Sequence, residues 1–529
     1  QESRLVDGKL VLVAGQAFTW GPVYLQRDKM MASNATESMK PTDFAFVAKD
    51  VLPSWTSMQP STIAYKNGTR KTITVKKTTT VDCTNVLYKK PDQVGENTRS
   101  PMWGQSMSSV IVFSLANPTA APTMKMIVGN SSQIHVTRNM IYVTAPGYVY
   151  TPMSCPINAR CLMPVWSQGS YTTIHQFSIP ALAYNYSTAV KGTTWSQYSM
   201  DDTNGMFRII TSDQQSAQNA TNVYIINSQG KVAGKVENIA PGEQFQGTRF
   251  IGNYLYLVTY RQIDPLFVIN LTDSVNPKII GSLKIPGYSS YLHPWGAMQG
   301  SIQYLIGLGY NTTIDTYGNE RQGGIKLDLY KADFSKKDAK GNISVEQVWT
   351  KTLGDQGSQT EALYNPRMFV FNDTTKQLLL PIVLATTQKI NQCNVIYDTT
   401  GKEVRKECYP QEMAVTQFAG IKGWTLSTEG LKENISVDYK DSLRNPYGYA
   451  IMNTGAVIDP WVFTSLMPRV GYMGNTYYFI SSQFAHLFQT TNLSGKKIIF
   501  PAIQTAMPVA TPGSAPEATP QGTTLKAVE

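Results

Sequence analysis

The side chains of this 529-residue sequence that are suited to acid–base chemistry are few and scattered. There are four histidines: His135, His175, His293 and His486. His293 follows the Gly287–Tyr291 turn and precedes Pro294, where an imidazole can carry a proton or simply hold a loop. Asp264, close to Arg261 and Gln262 in YRQIDPLF, and Glu361 in GDQGSQTEALY are carboxylates that could serve with His293 as acid or base in an extracellular hydrolase. An Asp–Arg pair between two strands is also a plain structural device. The functional alternative sets these charges at the mouth of a central channel. Asp355 with Glu361, and Asp201 with Asp202, Asn204 and Gly205, offer oxygens in glycine-containing loops; a bound calcium ion is the one cofactor they suggest, although their spacing fits no standard calcium loop. GxSxG, HExxH, P-loop and dinucleotide fingerprints are absent, and no Cys/His set has zinc spacing. No residue is therefore assigned a catalytic or metal-binding role from pattern alone.

Other residue types speak about the compartment. Asn-x-Ser/Thr acceptors occur at Asn34, Asn67, Asn130, Asn185, Asn219, Asn270, Asn311, Asn342, Asn372, Asn434 and Asn492. That is about twice what this composition would give by chance, which predicts N-linked glycans on an extracellular surface. Of the five cysteines, Cys155 with Cys161 and Cys393 with Cys408 bracket short turns and are expected to form local disulfides, leaving Cys83 as a buried thiol or an intermolecular bridge. The chain begins at Gln1 rather than Met, as expected once a signal peptide has been removed. No run of 18 apolar residues is long enough for a transmembrane helix.

The net charge is +10, yet Lys and Arg are dispersed, without the clusters that nucleic-acid binding needs. Charged residues are only 16% of the chain, so polarity comes from hydroxyls and amides. Few ion pairs to lose on acidification suggests an acid-tolerant fold.

To position such residues the chain offers strands. Apolar residues alternate over short runs parted by turn residues, and long helical periodicity is absent. A strand–turn–strand pattern recurs at Val110–Val128, Thr172–Ile179, Asn222–Val236, Leu266–Leu283, Ile325–Val348, Asn394–Val404 and Ala485–Ile499. Other strands intervene, so each unit holds about four. Four-stranded units in series predict an all-β fold, a β-propeller, because radial stacking buries sheet faces and protects inner edges. Seven hairpins predict seven blades, with Thr62–Lys76 either beginning an eighth or supplying a closing strand. Residues 1–100 form an irregular β-containing N-terminal region, 101–500 the propeller, and 501–529 an Ala/Pro/Thr-rich tail docked on its own body or on a neighbour.

The stretch from about Thr172 to Val383 resembles the secreted β-propeller-domain family of archaea and some bacteria. The resemblance is carried by QYSMDDTNGMFRIIT (Gln197–Thr211), ENIAPGEQF (Glu237–Phe245), the long Arg249–Pro294 segment, GGIKLDLY (Gly323–Tyr330) and GDQGSQTEALYNPRMF (Gly354–Phe369). It implies a fold and an extracellular address, and no activity. The expected function is thus that of a glycosylated extracellular propeller in a structural, assembly or cell-surface role, associating with itself as a homo-oligomer or filament, or with cell-envelope proteins. The alternative is a ligand-binding module or hydrolase that uses the propeller channel.

Overall fold

The computed structural model describes residues 2–17, 54–64, 70–80, 83–87, 106–118, 120–129, 131–152, 166–213, 219–260, 264–314, 320–397, 403–440 and 469–500. Among them there is no α-helix, and the strands form seven sheets of four or five strands plus a separate two-stranded ladder. Six of the seven are antiparallel meanders of four consecutive strands. The fourth sheet is representative: Gln244–Ile251, Tyr254–Tyr260, Asp264–Asn270 and Lys278–Ile285 pair in that order.

Why the middle strands read as nearly continuous apolar runs is plain from the core. In the second to sixth sheets each is covered on both faces, so alternate side chains feed different interiors. Tyr256 and Val258 face the fifth sheet, whereas Leu255 and Leu257 face the third. In the sixth sheet Leu378, Leu380 and Ile382 pack against the fifth, while Leu379 and Val383 pack against the seventh. Six apolar clusters arise this way, each bridging two consecutive sheets from the first to the seventh. Among the described residues no such cluster joins the seventh sheet to the first.

The N-terminal region contributes strands to the first sheet. Glu2–Val6 pairs with Lys9–Ala17, which pairs in turn with Ser106–Ser114 and then Thr123–Val128, with Val86–Leu87 added in parallel at the outer edge. The two strands nearest the N-terminus therefore belong to the same sheet as Val110–Val128, and 18–105 is inserted between its second and third strands. Thr62–Lys76 falls on the separate ladder, in which Ser54–Ala64 pairs with Arg70–Thr80, outside all seven sheets.

Five of the seven recurring segments are third and fourth strands of their sheets, as at Leu266–Leu283, and Thr172–Ile179 lies along the third strand of the second sheet. Asn394–Val404 is the exception. It is the far end of the second and third strands of the sixth sheet, Gln377–Tyr397 and Glu403–Ser427, which pair with each other well past the point where their sheet neighbours stop. The outer hairpin of this sheet is instead Glu403–Ser427 with Gly430–Asp438, and the extra length is an arm leaving the body. Cys408 on this arm is disulfide-bonded and stands directly across the ladder from Cys393. Cys83 opens a short 3-10 turn, and Cys155 and Cys161 lie outside the described residues, as does the tail 501–529.

Candidate ligand channel

The first strand or turn of each sheet from the first to the sixth contributes to one cavity of about 730 Å³. Its wall takes Ser3 and Arg4 from Glu2–Val6, Gln133 from Gln133–Val136, and Trp195 to Tyr198 from the approach to the third sheet. The fourth sheet adds Gln244 to Thr248, the fifth Ser290 and Tyr291, and the turn before the sixth Tyr364, Asn365 and Arg367. This is the central channel of radially arranged sheets, where inner strands converge. A second cavity of about 370 Å³ shares Arg4, Gln197 and Tyr198 with the first and adds His135, Asp201 and Arg249.

Tyr198 stands where the two spaces meet, held from several sides. Its carbonyl accepts from the Thr248 hydroxyl at 3.0 Å, its ring meets Tyr291 edge-on at 5.7 Å, and the Arg249 guanidinium lies over it at 4.7 Å. Cation–π contact of this kind fixes both partners. Nη1 of Arg249 is buried and has no hydrogen-bond partner among the described residues. On the other side, Arg4 donates to the carbonyl of Ser3 at 2.8 Å and to the Gln197 side chain. Asp201, the one carboxylate on either lining among the described residues, is ion-paired with the buried Arg208, which also donates to Gly252 O at 2.9 Å and Thr203 Oγ1 at 2.7 Å. Asp202 accepts from Tyr142 Oη at 2.8 Å, and that hydroxyl accepts from Gln176 at 2.8 Å. Both aspartates named as a loop or cation pair are thus engaged by neighbours. Burial holds the His135 imidazole below its ordinary pKa, partly offset by Asp201 and Asp202.

The three acid–base candidates are not gathered on either lining. His293 sits on the first strand of the fifth sheet, packed against Phe369 at 4.9 Å and Phe371 at 5.4 Å, with Nδ1 3.1 Å from the Tyr291 hydroxyl. Burial, and then the nearby Arg249, lower its pKa to about 4. Glu361 lies on the 3-10 turn before the sixth sheet, its pKa raised by burial against the pull of Arg469. Asp264 opens the third strand of the fourth sheet, two strands outward from the channel, and its side chain lies outside the described residues, like Arg261 and Gln262. Asp355 accepts from Thr387 N at 3.2 Å and holds the base of the arm. Among the described residues no group of three or more His, Cys, Asp or Glu is placed to hold a metal ion.

His175 and His486 occupy matching places, on the third strands of the second and seventh sheets. Each presents Nδ1 to a tyrosine hydroxyl, Tyr184 at 3.1 Å and Tyr439 at 2.7 Å. The channel residues, by contrast, had no motif to announce them. Their signal is local: polar side chains at every second position of a short first strand, as in Gln244, Gln246 and Thr248.

Sheets of this kind stacked about a shared channel define a β-propeller. The chain belongs to the family described as the beta propeller domain, whose model matches residues 1–493. It is 40% identical over 194 residues to an uncharacterized protein of Methanocaldococcus jannaschii, and 31% identical over 185 residues to one of Archaeoglobus fulgidus. These matches cover 36% and 35% of this chain but only 29% and 27% of the relatives' own lengths. Among solved structures it is similar to the WD40 domain of Neurospora crassa Pan2, at 8% identity, 70% of this chain, 78% of that one and a TM-score of 0.29. A putative 6-phosphogluconolactonase of Bacteroides uniformis matches at 12% identity over 60% of this chain and 94% of its own, with a TM-score of 0.25. Among the described residues no helix is long and apolar enough to cross a membrane.

Proposed function

We propose that this chain is a secreted, N-glycosylated propeller that captures a polyhydroxylated ligand in its central channel, outside the cell. The observation that carries the reading is the channel wall. Trp195 and Tyr364 expose 52% and 72% of their surface there, among the amides of Gln133, Gln197, Gln244, Gln246 and Asn365. Large aromatics left in water beside convergent polar groups are the usual makings of a binding site. Flat rings suit the apolar faces of sugar rings, and amides suit hydroxyls, which both donate and accept. Alanine at both Trp195 and Tyr364 should weaken binding of a saccharide ligand at least tenfold, measured by calorimetry on a panel of neutral and acidic oligosaccharides. If no member of the panel binds the wild-type protein, the reading fails.

The extracellular address is supported by the sequons. Eight of the eleven lie among the described residues and none of their asparagines is buried. Their surroundings differ in one respect that chemistry can use, since a glycan replaces one hydrogen on Nδ2. Asn492 donates to nothing among the described residues, whereas Asn434 spends Nδ2 on both Gln377 at 2.8 Å and Thr425 at 3.0 Å. Peptide mapping by mass spectrometry of native protein is expected to find Asn492 glycosylated and Asn434 bare. A wholly unmodified chain would remove this support for secretion.

A second reading, self-association at a cell surface, is favoured by the outer edge of the seventh sheet. Asn492–Ile499 is exposed almost throughout, and Ile498, Ile499 and Phe500 leave an apolar strip beside a strand edge that has no partner strand among the described residues. Light scattering separates the two: a strict monomer at high concentration removes the assembly reading and leaves the channel untouched.

A further inference from the structure

The register of the sheets fixes the face from which each connection leaves. In an antiparallel meander the second strand ends, and the third begins, at the end of the sheet where the first strand starts. The cavity of about 730 Å³ is lined from the starts of first strands, at Glu2–Val6, Gln133–Val136, Gln244–Ile251 and Tyr288–Pro294. The second-to-third connections therefore leave from the face on which the channel opens.

These connections are of two kinds. In the second sheet the ladder continues past both neighbouring strands, from Tyr148 opposite Ser170 to Pro152 opposite Trp166, about 15 Å at the rise of a strand. In the fifth, Thr312–Ile314 pairs with Glu320–Gln322 beyond the ends of both neighbours, about 10 Å more. The arm of the sixth runs on from Ala385 to Tyr397, about 40 Å. The first sheet sends out 18–105 at the same place, between Ala17 and Ser106. The other three stop short. The third sheet closes with Asp213 opposite Ala220, one pair past its fourth strand. The fourth closes with Val258 opposite Leu266, and the seventh with Ile480 opposite Ala485.

In order around the channel, two sheets with long connections are followed by two with short ones, then two long and one short. The long pairs thus face each other across the channel mouth, with openings over the third and fourth sheets and over the seventh. The exposed rings fit this plan. Trp195 lies on the chain between the second and third sheets and Tyr364 on the chain between the fifth and sixth, one at the foot of each wall.

We infer that the channel face is a groove open at both ends, which holds the interior of a linear polysaccharide chain rather than its terminus. This rests on the saccharide-binding reading above and adds the form of the ligand. A blind pocket closes around the last unit of a chain, whereas a groove with two exits lets the chain run through between its walls.

The full chain is titrated by calorimetry with short and long chains of a linear galactan and of a linear polygalacturonate, with and without a bulky dye on the reducing end. A long chain is expected to take up several protein molecules in proportion to its length, and the dye should change its affinity by less than about twofold. Hydrogen exchange on the long-chain complex should slow at both openings, at Thr259 and Tyr260 on one side and at Ser481–Gln483 on the other. One protein per chain at every length, loss of binding on capping, or slowing at one opening alone overturns the proposal and leaves the saccharide channel standing. No binding by either polymer also overturns it, and the oligosaccharide panel then decides separately whether the saccharide reading falls with it.

Discussion

Replacing Asp328 by alanine is expected to destabilise the fold by about 3–5 kcal/mol, the largest effect of any single charge in the described structure. Asp328 is fully buried and lies 3.2 Å from the ammonium of Lys326, itself 3% exposed. Tyr330 donates to it at 2.6 Å, Gln347 at 2.8 Å and Ser289 at 3.3 Å, while Lys326 also donates to Pro286 O at 2.5 Å. Removing the carboxylate leaves a buried cation with a carbonyl for company. Removing both charges is different: Lys326→Met with Asp328→Leu should recover most of the loss, because the desolvation of two ions disappears with their attraction. Urea midpoints of the two variants check this. Equal destabilisation by the single and double changes would show that packing, not charge, is at stake. The surface pair Lys331–Glu346, at 2.8 Å but with Glu346 half exposed, serves as control and should be worth less than about 1 kcal/mol.

The second large effect concerns acid. His175 is buried, and desolvation lowers its pKa from 6.5 to about 4. The unfolded chain takes up this proton as pH falls below 6.5, while the folded chain resists until about 4. The contribution is therefore complete above pH 6.5, declines between 6.5 and 4, and is constant below. Such a shift is worth about 3 kcal/mol, and His293, lowered to about 4 mainly by burial, adds a comparable amount over the same window. Unfolding midpoints at pH 7 and pH 4.5 are expected to differ accordingly, and His175→Gln should cut the difference by up to half. An unchanged difference in that variant would show that His175 is not the titrating group. This runs against the acid tolerance that the low charge content suggests. Few carboxylates limit one source of acid loss, but two buried imidazoles supply another.

How much of this was legible in the residues depends on how many faces a strand buries. Middle strands bury both, so they spell out their sheet in continuous apolar runs, and the hairpins at Leu266–Leu283 and Ala485–Ile499 were readable as pairs. Asn394–Val404 misled because the tip of a long arm has the same alternation and turn chemistry as an outer hairpin. The hairpin of Glu2–Val6 and Lys9–Ala17 was unreadable as part of a larger sheet because Lys9–Ala17 finds its other partner only at Ser106–Ser114, and pairing at that separation leaves no local mark. The family-like segment GGIKLDLY holds Lys326, Asp328 and Tyr330 on one face, so the resemblance there reflects a buried polar cluster. In the same segment a Cβ on Gly324 would meet Gly354 O at 2.0 Å, so the second glycine is needed for close approach. The channel residues stayed hidden for the opposite reason. Arg4, Tyr198 and Arg249 converge from three sheets, and no spacing in one dimension records a meeting in three.

The arm of the sixth sheet alters the reach of the molecule. Its strands leave a rigid body and are tied again at Cys408, so the ribbon is anchored at its root and cross-linked near its tip. A double-stranded ribbon clamped at both ends cannot fray from either, and separation must begin in the middle. Val404 and Tyr409 stand exposed near that tip. The arm thus presents two apolar side chains on a braced ribbon, beyond the last residues that its sheet neighbours pair with.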